Sequence, residues 1–232
     1  MATVNYEKFF DNCYVDHVKD TEQWHQLRGL GIGGSDAGIV MNVSQYHTPY
    51  ELWEEKTGKA KREFATNEAI EKGNKLEPIL YNLFEVLYGN KYEVINTKDI
   101  SLSSKQFPFL RANLDGALIN KQTGQKGVLE IKSSTIQNGG MLKKWNNDDL
   151  PITYYFQVLH YLYVTGFDFA IVYAILDIPW SNQQETRVVE LYKADLEADI
   201  ELLVKTERWF WNKVVTKTPP PFLEKRNKYL IN

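Results

Sequence analysis

Cysteine is almost missing from this chain: Cys13 stands alone, so no intramolecular disulfide can form and no cysteine cluster can hold zinc. Nothing around Cys13 suggests a paired base, which argues against a catalytic thiol. Long apolar runs are missing too, and Met1-Ala-Thr-Val-Asn-Tyr-Glu lacks the pattern of a signal peptide, so no membrane span is expected and the cytoplasm is the default compartment. There is no internal repeat, low-complexity tract or linker-like stretch in the middle of the 232 residues. One domain is the simplest expectation, with 1–20 as an N-terminal extension and 217–232 as a tail. An excess of basic charge is also lacking, since 27 Lys and Arg face 30 Asp and Glu for a formal net charge of −3. Attraction to a polyanion would have to come from local clusters and bound metal.

What is present centres on Leu114-Asp115-Gly116 and Val128-Leu129-Glu130-Ile131-Lys132. Alternation along a strand puts Glu130 and Lys132 on one face and Leu129 and Ile131 on the other. Phe107 to Ile119 also reads as a strand, and the polar, glycine-bearing 120–127 reads as a hairpin connection, which would bring Asp115 opposite Glu130. Two carboxylates so placed repel unless a cation lies between them. Oxygen ligands without His or Cys nearby favour a hard ion such as Mg²⁺, with Mn²⁺ as a substitute, which is the beginning of a phosphoryl-transfer site.

Asp20-Thr21-Glu22-Gln23 has the form of a capping box opening a short helix through Trp24, Leu27 and Arg28. The loop that follows, Gly29-Leu30-Gly31-Ile32-Gly33-Gly34-Ser35-Asp36, formally satisfies G-x-G-x-x-G. A helical segment stands where a dinucleotide fold needs a strand, and no Gly-Lys-Ser/Thr follows, which excludes a Rossmann fingerprint and a Walker loop. The loop, with Ser35 or Asp36 capping the next helix and Arg28 alongside, can hold a phosphate; the bland reading is a tight turn with Arg28 on the surface.

Thr48-Pro49-Tyr50-Glu51 predicts a second helix, with Leu52 and Trp53 as core. Lys56, Lys59, Lys61 and Arg62 either face nucleic acid or form a solvated helix end. From Asn67 to Tyr88 the spacing predicts a longer helix with Ile70, Leu76, Ile79, Leu80, Leu83, Phe84 and Leu87 on its apolar side, kinked or restarted at Pro78. Gly73 and Glu77 share a face there, so Glu77 is either a third acid for a metal or an exposed helical carboxylate. Lys91 to Leu102 is expected to be extended. Gln137 to Asp149, with Lys143, Lys144 and Trp145, is either a nucleic-acid loop or a connection whose Trp packs inward. An aromatic helix from Pro151 to Thr165 carries Gln157 and Tyr161 one turn apart. Strands at Phe169 to Ile178 and Thr186 to Tyr192 and an amphipathic helix from Ala194 to Thr216 complete the pattern. Pro219-Pro220-Pro221 leads to a tail bearing Lys225-Arg226.

The order of helix with Glu77, Asp115 strand, Glu130-Ile-Lys132 strand and helix resembles the PD-(D/E)xK nuclease superfamily, and more narrowly the phage lambda exonuclease and YqaJ-type viral recombinase family. Its ordered motifs are Trp24 with Arg28, Gly31-Ile-Gly-Gly-Ser35-Asp36, Gly73 with Leu76-Glu77, Leu114-Asp115-Gly116, Leu129-Glu130-Ile-Lys132, Pro151, and Gln157 with His160-Tyr161, across about Trp24 to Gly166. The resemblance implies an α/β fold with a restriction-endonuclease-like core, a central mixed sheet flanked by helices. It implies Asp115, Glu130, the Ile131 carbonyl and Glu77 as metal ligands, Lys132 positioning and helping to deprotonate a water, and Gln157 bracing the site. Arg28, Ser35, Gly33 and Gly34 would hold a 5′-phosphate. The implied reaction is Mg²⁺-dependent 5′ to 3′ digestion of double-stranded DNA ends, by a homotrimeric ring partnered with a single-strand annealing protein; a phage-encoded chain would work in the host's cytoplasm. One departure is Asn113-Leu114 where the family often has Ser-Pro, so an amide replaces a hydroxyl at a position that contacts phosphate. Two alternatives stand beside this reading: another nuclease of the superfamily, of endonuclease or CRISPR-associated type, and a non-cleaving DNA-binding relative.

Overall fold

The computed structural model describes residues 4–60, 68–146 and 149–223, the side chains of 68–70 excepted. In chain order the elements are α1 (Tyr6–Phe9), β1 (Cys13–His17), α2 (Thr21–Gly29), β2 (Ile32–Gly33), α3 (Gly34–Val40), α4 (Pro49–Lys56), α5 (Glu68–Tyr88), β3 (Tyr92–Ile95) and β4 (Ile100–Ser104). There follow β5 (Leu110–Ala112), β6 (Gly116–Asn120), β7 (Lys126–Thr135), α6 (Gly139–Lys143), α7 (Ile152–Thr165), β8 (Phe169–Ile178), β9 (Gln183–Tyr192) and α8 (Glu197–Val215). The strands form a 5-stranded sheet of order β3-β6-β7-β8-β9 and a 4-stranded sheet of order β1-β4-β5-β2. Both are mixed: β7 and β8 run parallel within the larger sheet, as do β2 and β5 within the smaller. The expected α/β core of a mixed sheet between helices is therefore present.

Each face of the larger sheet buries its own cluster. Leu80 and Phe84 of α5 cover Leu118, Leu129, Ile131, Ile171 and Tyr173 on one side. On the other side Val128, Ala170 and Val172 belong to a cluster with Val158, Leu159 and Leu162 of α7 and with Leu203 and Phe210 of α8. Full burial of each such Leu or Phe contributes about 1.5–3 kcal/mol, so α5 and α7 are clamped to opposite faces of β7. α7 also touches β4 and β5, which makes it the helix shared by both sheets.

Several expectations change. Phe107 to Ile119 is not one strand: β5 lies in the smaller sheet and β6 in the larger, with Asp115 in the crossing between them. Lys91 to Leu102 divides in the same way into β3 and β4. α5 continues through Pro78 as one helix of 21 residues rather than restarting there. Its expected apolar side splits, because Leu80 and Phe84 are buried while Ile79, Leu83 and Leu87 are exposed. Asn67, Lys61, Arg62, Lys225, Arg226 and the side chain of Ile70 lie outside the described residues. Residues 4–20, read from sequence as an extension, supply β1, which pairs along its whole length with β4. Trp145 is buried against Tyr154, so the inward reading of that segment holds and its ring is not available for stacking.

Candidate active site

β7 carries the centre. Its alternation sends Leu129 and Ile131 into the α5 cluster, and the opposite face presents Glu130 and Lys132 to α7. Gly116 pairs with Leu129 at the first rung of the β6–β7 ladder, so Asp115, one residue earlier, arrives level with Glu130. The Ile131 amide donates to Asp115 Oδ2 at 2.7 Å, fixing that carboxylate at the mouth of the ladder. The Lys132 ammonium donates to Glu130 Oε1, with the Tyr154 ring 4.9 Å from its nitrogen. Gln157 Nε2 donates to the same Glu130 oxygen at 2.6 Å and lies 3.2 Å from the Tyr161 hydroxyl.

The carboxylates are under electrostatic load. Burial and the neighbouring Asp115 push the Glu130 carboxyl up to about 8, against the pull of Lys132. Burial raises Asp115 in spite of Lys132 and the Ile131 amide, and burial together with Asp115 raises Glu77. Burial alone would strip Lys132 of its proton, but Glu130 and Asp115 outweigh it and hold the ammonium charged. Glu130 Oε2 is fully enclosed and has no hydrogen-bond partner among the described residues. A buried anionic oxygen without a donor is costly. No group of three or more His, Cys, Asp or Glu side chains is close enough among the described residues to hold an ion. Glu77 instead faces Asp115 and Glu130 from α5, within the same cleft.

The glycine loop resolves differently from its sequence reading. The cap of α3 is Gly33, not Ser35 or Asp36, and Asp36 reaches back to accept from the Gly33 amide at 3.2 Å. Two glycines serve close approach: a Cβ on Gly31 would lie 2.0 Å from the Phe109 carbonyl oxygen, and one on Gly34 would lie 2.4 Å from the Tyr161 ring. Arg28 Nη2 donates to Ser35 Oγ at 2.6 Å, and its guanidinium lies 5.0 Å from the Trp24 ring centre. Beneath them the Lys56 ammonium pairs with Asp36 Oδ2 at 2.9 Å, both side chains being buried, and reaches the Arg28 carbonyl oxygen at 3.5 Å.

The carboxylates and the Arg28–Ser35 pair meet in one cleft of about 690 Å³. Arg28, Gly33, Gly34, Ser35, Glu77, Asn113, Asp115, Glu130, Ile131, Lys132 and Gln157, the whole set expected from the sequence, line it. Asn113 Oδ1 is enclosed there without a partner among the described residues.

The YqaJ-like viral recombinase domain matches residues 23–168 of the chain. The chain belongs to that family. It is 33% identical over 203 residues to the uncharacterized protein YqaJ of Bacillus subtilis (strain 168), covering 88% of this chain and 59% of that protein's length. Its fold is similar to the crystal structure of an alkaline exonuclease (LHK-Exo) from Laribacter hongkongensis, with TM-score 0.62 and 18% identity over 85% of this chain and 94% of the other. A phage-related exonuclease from Haemophilus somnus 129PT matches with TM-score 0.52 and 14% identity over 81% and 96%. At these identities the likeness is one of fold.

Within this YqaJ-like domain the sequence reading missed two residues. Lys56 was grouped with a basic run, yet Pro49, Leu52 and Trp53 are buried on α4 and Lys56 falls on the same face by helical spacing. That spacing was the available signal. Thr97 was unremarked: it is buried, and its Oγ1 donates at 2.6 Å to the carbonyl of Leu114, next to Asp115. Nothing local in Asn96-Thr97-Lys98 announces so distant a bond.

Proposed function

We propose that this YqaJ-like chain is a divalent-metal-dependent exonuclease that removes nucleotides from the 5′ ends of duplex DNA, leaving 3′ single-stranded tails for phage-type recombination. The observation that carries the reading is the meeting, in one cleft, of Asp115 and Glu130-Ile131-Lys132 with the Arg28–Ser35 pair. A reacting centre beside an end-holding pocket accounts for direction.

The residues present fit a hard cation. The unpartnered Glu130 Oε2 and the raised carboxyls of Glu130, Asp115 and Glu77 form an oxygen donor set whose negative charge the single Lys132 ammonium does not offset. Asp115, Glu130 and the Ile131 carbonyl would hold Mg²⁺ or Mn²⁺, with Glu77 adding negative charge from the α5 wall of the cleft. When bound, such an ion supplies charge neutralisation and a lowered pKa for water. Gln157 keeps Glu130 oriented from α7. Lys132, held as an ammonium, donates to the water or phosphate oxygen at the reacting centre; it can take up a proton only once the field of the carboxylates is relieved. Arg28 has guanidinium donors beyond the one given to Ser35, and with that hydroxyl it suits a terminal phosphate. The Asn113 amide, which lines the same cleft, would donate to the same DNA strand. One fold neighbour is described in complex with dAMP, a mononucleotide of the kind such a reaction would release. A homotrimeric ring and a single-strand annealing partner belong to the same reading through the family.

The test offers linear duplex with and without a 5′-phosphate, with and without Mg²⁺, to wild type, Asp115→Ala and Lys132→Ala. Phosphate-stimulated, Mg²⁺-dependent digestion by wild type alone is expected. Undiminished activity in Asp115→Ala would remove the metal assignment, and cutting of closed circular DNA would favour an endonuclease.

A further inference from the structure

The cleft contains a third cation that neither the end-holding pocket nor the reacting centre uses. Arg28 is committed to Ser35 and Trp24, and Lys132 to Glu130. Lys98 also lines the cleft, on the turn between β3 and β4, and its side chain makes no ion pair within 4.0 Å among the described residues. Lys98 enters the cleft from the turn ahead of β4 and Arg28 from the end of α2, so the two cations stand on different elements of its wall.

The turn is built to hold that lysine still. Thr97 Oγ1 donates to the Leu114 carbonyl at 2.6 Å, tying the turn to the segment that delivers Asp115. The Lys98 amide donates to Asn96 Oδ1 at 2.9 Å, an Asx turn, and the Tyr6 hydroxyl donates to the Asn96 carbonyl at 2.8 Å. The Val18 amide donates to the Asp99 carbonyl at 2.8 Å, fastening the far side of the turn to the chain that follows β1. Three asparagines line the same cleft, Asn96 from the turn that carries Lys98 and Asn74 and Asn82 from α5. Amide donors beside an ammonium suit a phosphodiester backbone.

We propose that Lys98 and Asn96 form a second phosphate subsite, which grips the backbone of the DNA strand on the interior side of the bond being cut while Arg28 and Ser35 hold the end. This rests on the exonuclease reading above and extends it. The subsite gives the cleft a grip on internal backbone, independent of whether the end is phosphorylated.

The full chain, as wild type, Lys98→Ala and Lys98→Arg, is assayed on linear duplex with a 5′-phosphate across a salt series, and its binding of the same duplex without divalent metal is followed by fluorescence anisotropy. Lys98→Ala is expected to raise KM about three- to tenfold with kcat nearly unchanged. It should flatten the dependence of log affinity on log salt by roughly one phosphate contact, keep the 5′-phosphate preference, and be rescued by Lys98→Arg. Equal KM and equal salt slope in Lys98→Ala and wild type would overturn the subsite. Loss of the 5′-phosphate preference in Lys98→Ala would overturn it too, by merging Lys98 with the end-holding pocket. If wild type binds duplex but digests none, the exonuclease reading fails while the anisotropy slopes still decide the subsite; if it does neither, both fall.

Discussion

At the scale of single residues, the reacting centre is held in place by what glycine leaves out. The Gly34 backbone lies against the Tyr161 ring, the Tyr161 hydroxyl bonds Gln157, and Gln157 bonds Glu130. A methyl on Gly34 would displace Tyr161 and pass the shift along that chain to the carboxylate. Gly34→Ala should therefore cost about 1–3 kcal/mol in stability. It should also lower kcat by roughly ten- to a hundredfold, since small displacements at a reacting centre are expensive. Gly139→Ala is the control, because nothing lies within 4 Å of its added Cβ. Thermal melts and steady-state digestion of both variants check this; a normal kcat in Gly34→Ala would show that Gln157 does not brace Glu130. Glu130 and Lys132 on one face were legible in the sequence because strand alternation is strict, and Asp115 opposite Glu130 because the hairpin at 120–127 sets the register. The pin from Thr97 to Leu114 was not, because a threonine hydroxyl seventeen residues from its acceptor leaves no trace in spacing.

At the scale of elements, periodic segments were read well and segments that change sheet were not. α7, β8, β9 and α8 lie close to where apolar periodicity placed them. The stretch from Phe107 to Ile119 is continuous in character, with no glycine or proline between Phe109 and Asp115 to mark where the chain leaves one sheet for the other. β1 was passed over because Cys13–His17 is short and its burial barely alternates. Lys56 shows how one element supports another. From α4 it joins the end of α2 to the start of α3 through the Arg28 carbonyl and Asp36. Lys56→Met strands a buried carboxylate and should cost about 3–5 kcal/mol in a urea titration. Lys56→Met combined with Asp36→Asn should recover part of that loss. A cost below about 1 kcal/mol for the single variant would mean that water reaches Asp36.

At the scale of the whole molecule, a buried polar group joins the layers. His160 of α7 has Nδ1 2.7 Å from Glu207 Oε1 of α8 and Nε2 2.8 Å from the Arg111 carbonyl oxygen of β5. Acceptors at both nitrogens suit an imidazolium. Burial opposes that charge, but Glu207, the Arg111 carbonyl and Asp36 outweigh it and raise the pKa above the ordinary 6.5. The folded chain thus keeps a proton that the unfolded chain has released. This contribution to stability is complete below the ordinary value and is lost as pH rises through the folded one. Melts of wild type and His160→Asn between about pH 5 and about pH 9 should show the wild-type advantage shrinking as pH rises; an advantage independent of pH would mean a neutral ring. The two short passages between sheets have a further consequence. Beside the long passage from β2 to β3, the chain crosses at 96–99 and again at 113–115, and Thr97 is tied to Leu114 where these two short crossings meet. Asp115 is thereby set by the length of a turn far from it in sequence. A single residue inserted between Ile95 and Ile100 would move it as surely as one inserted beside it, so within this lineage the length of that turn should be as invariant as the acids themselves.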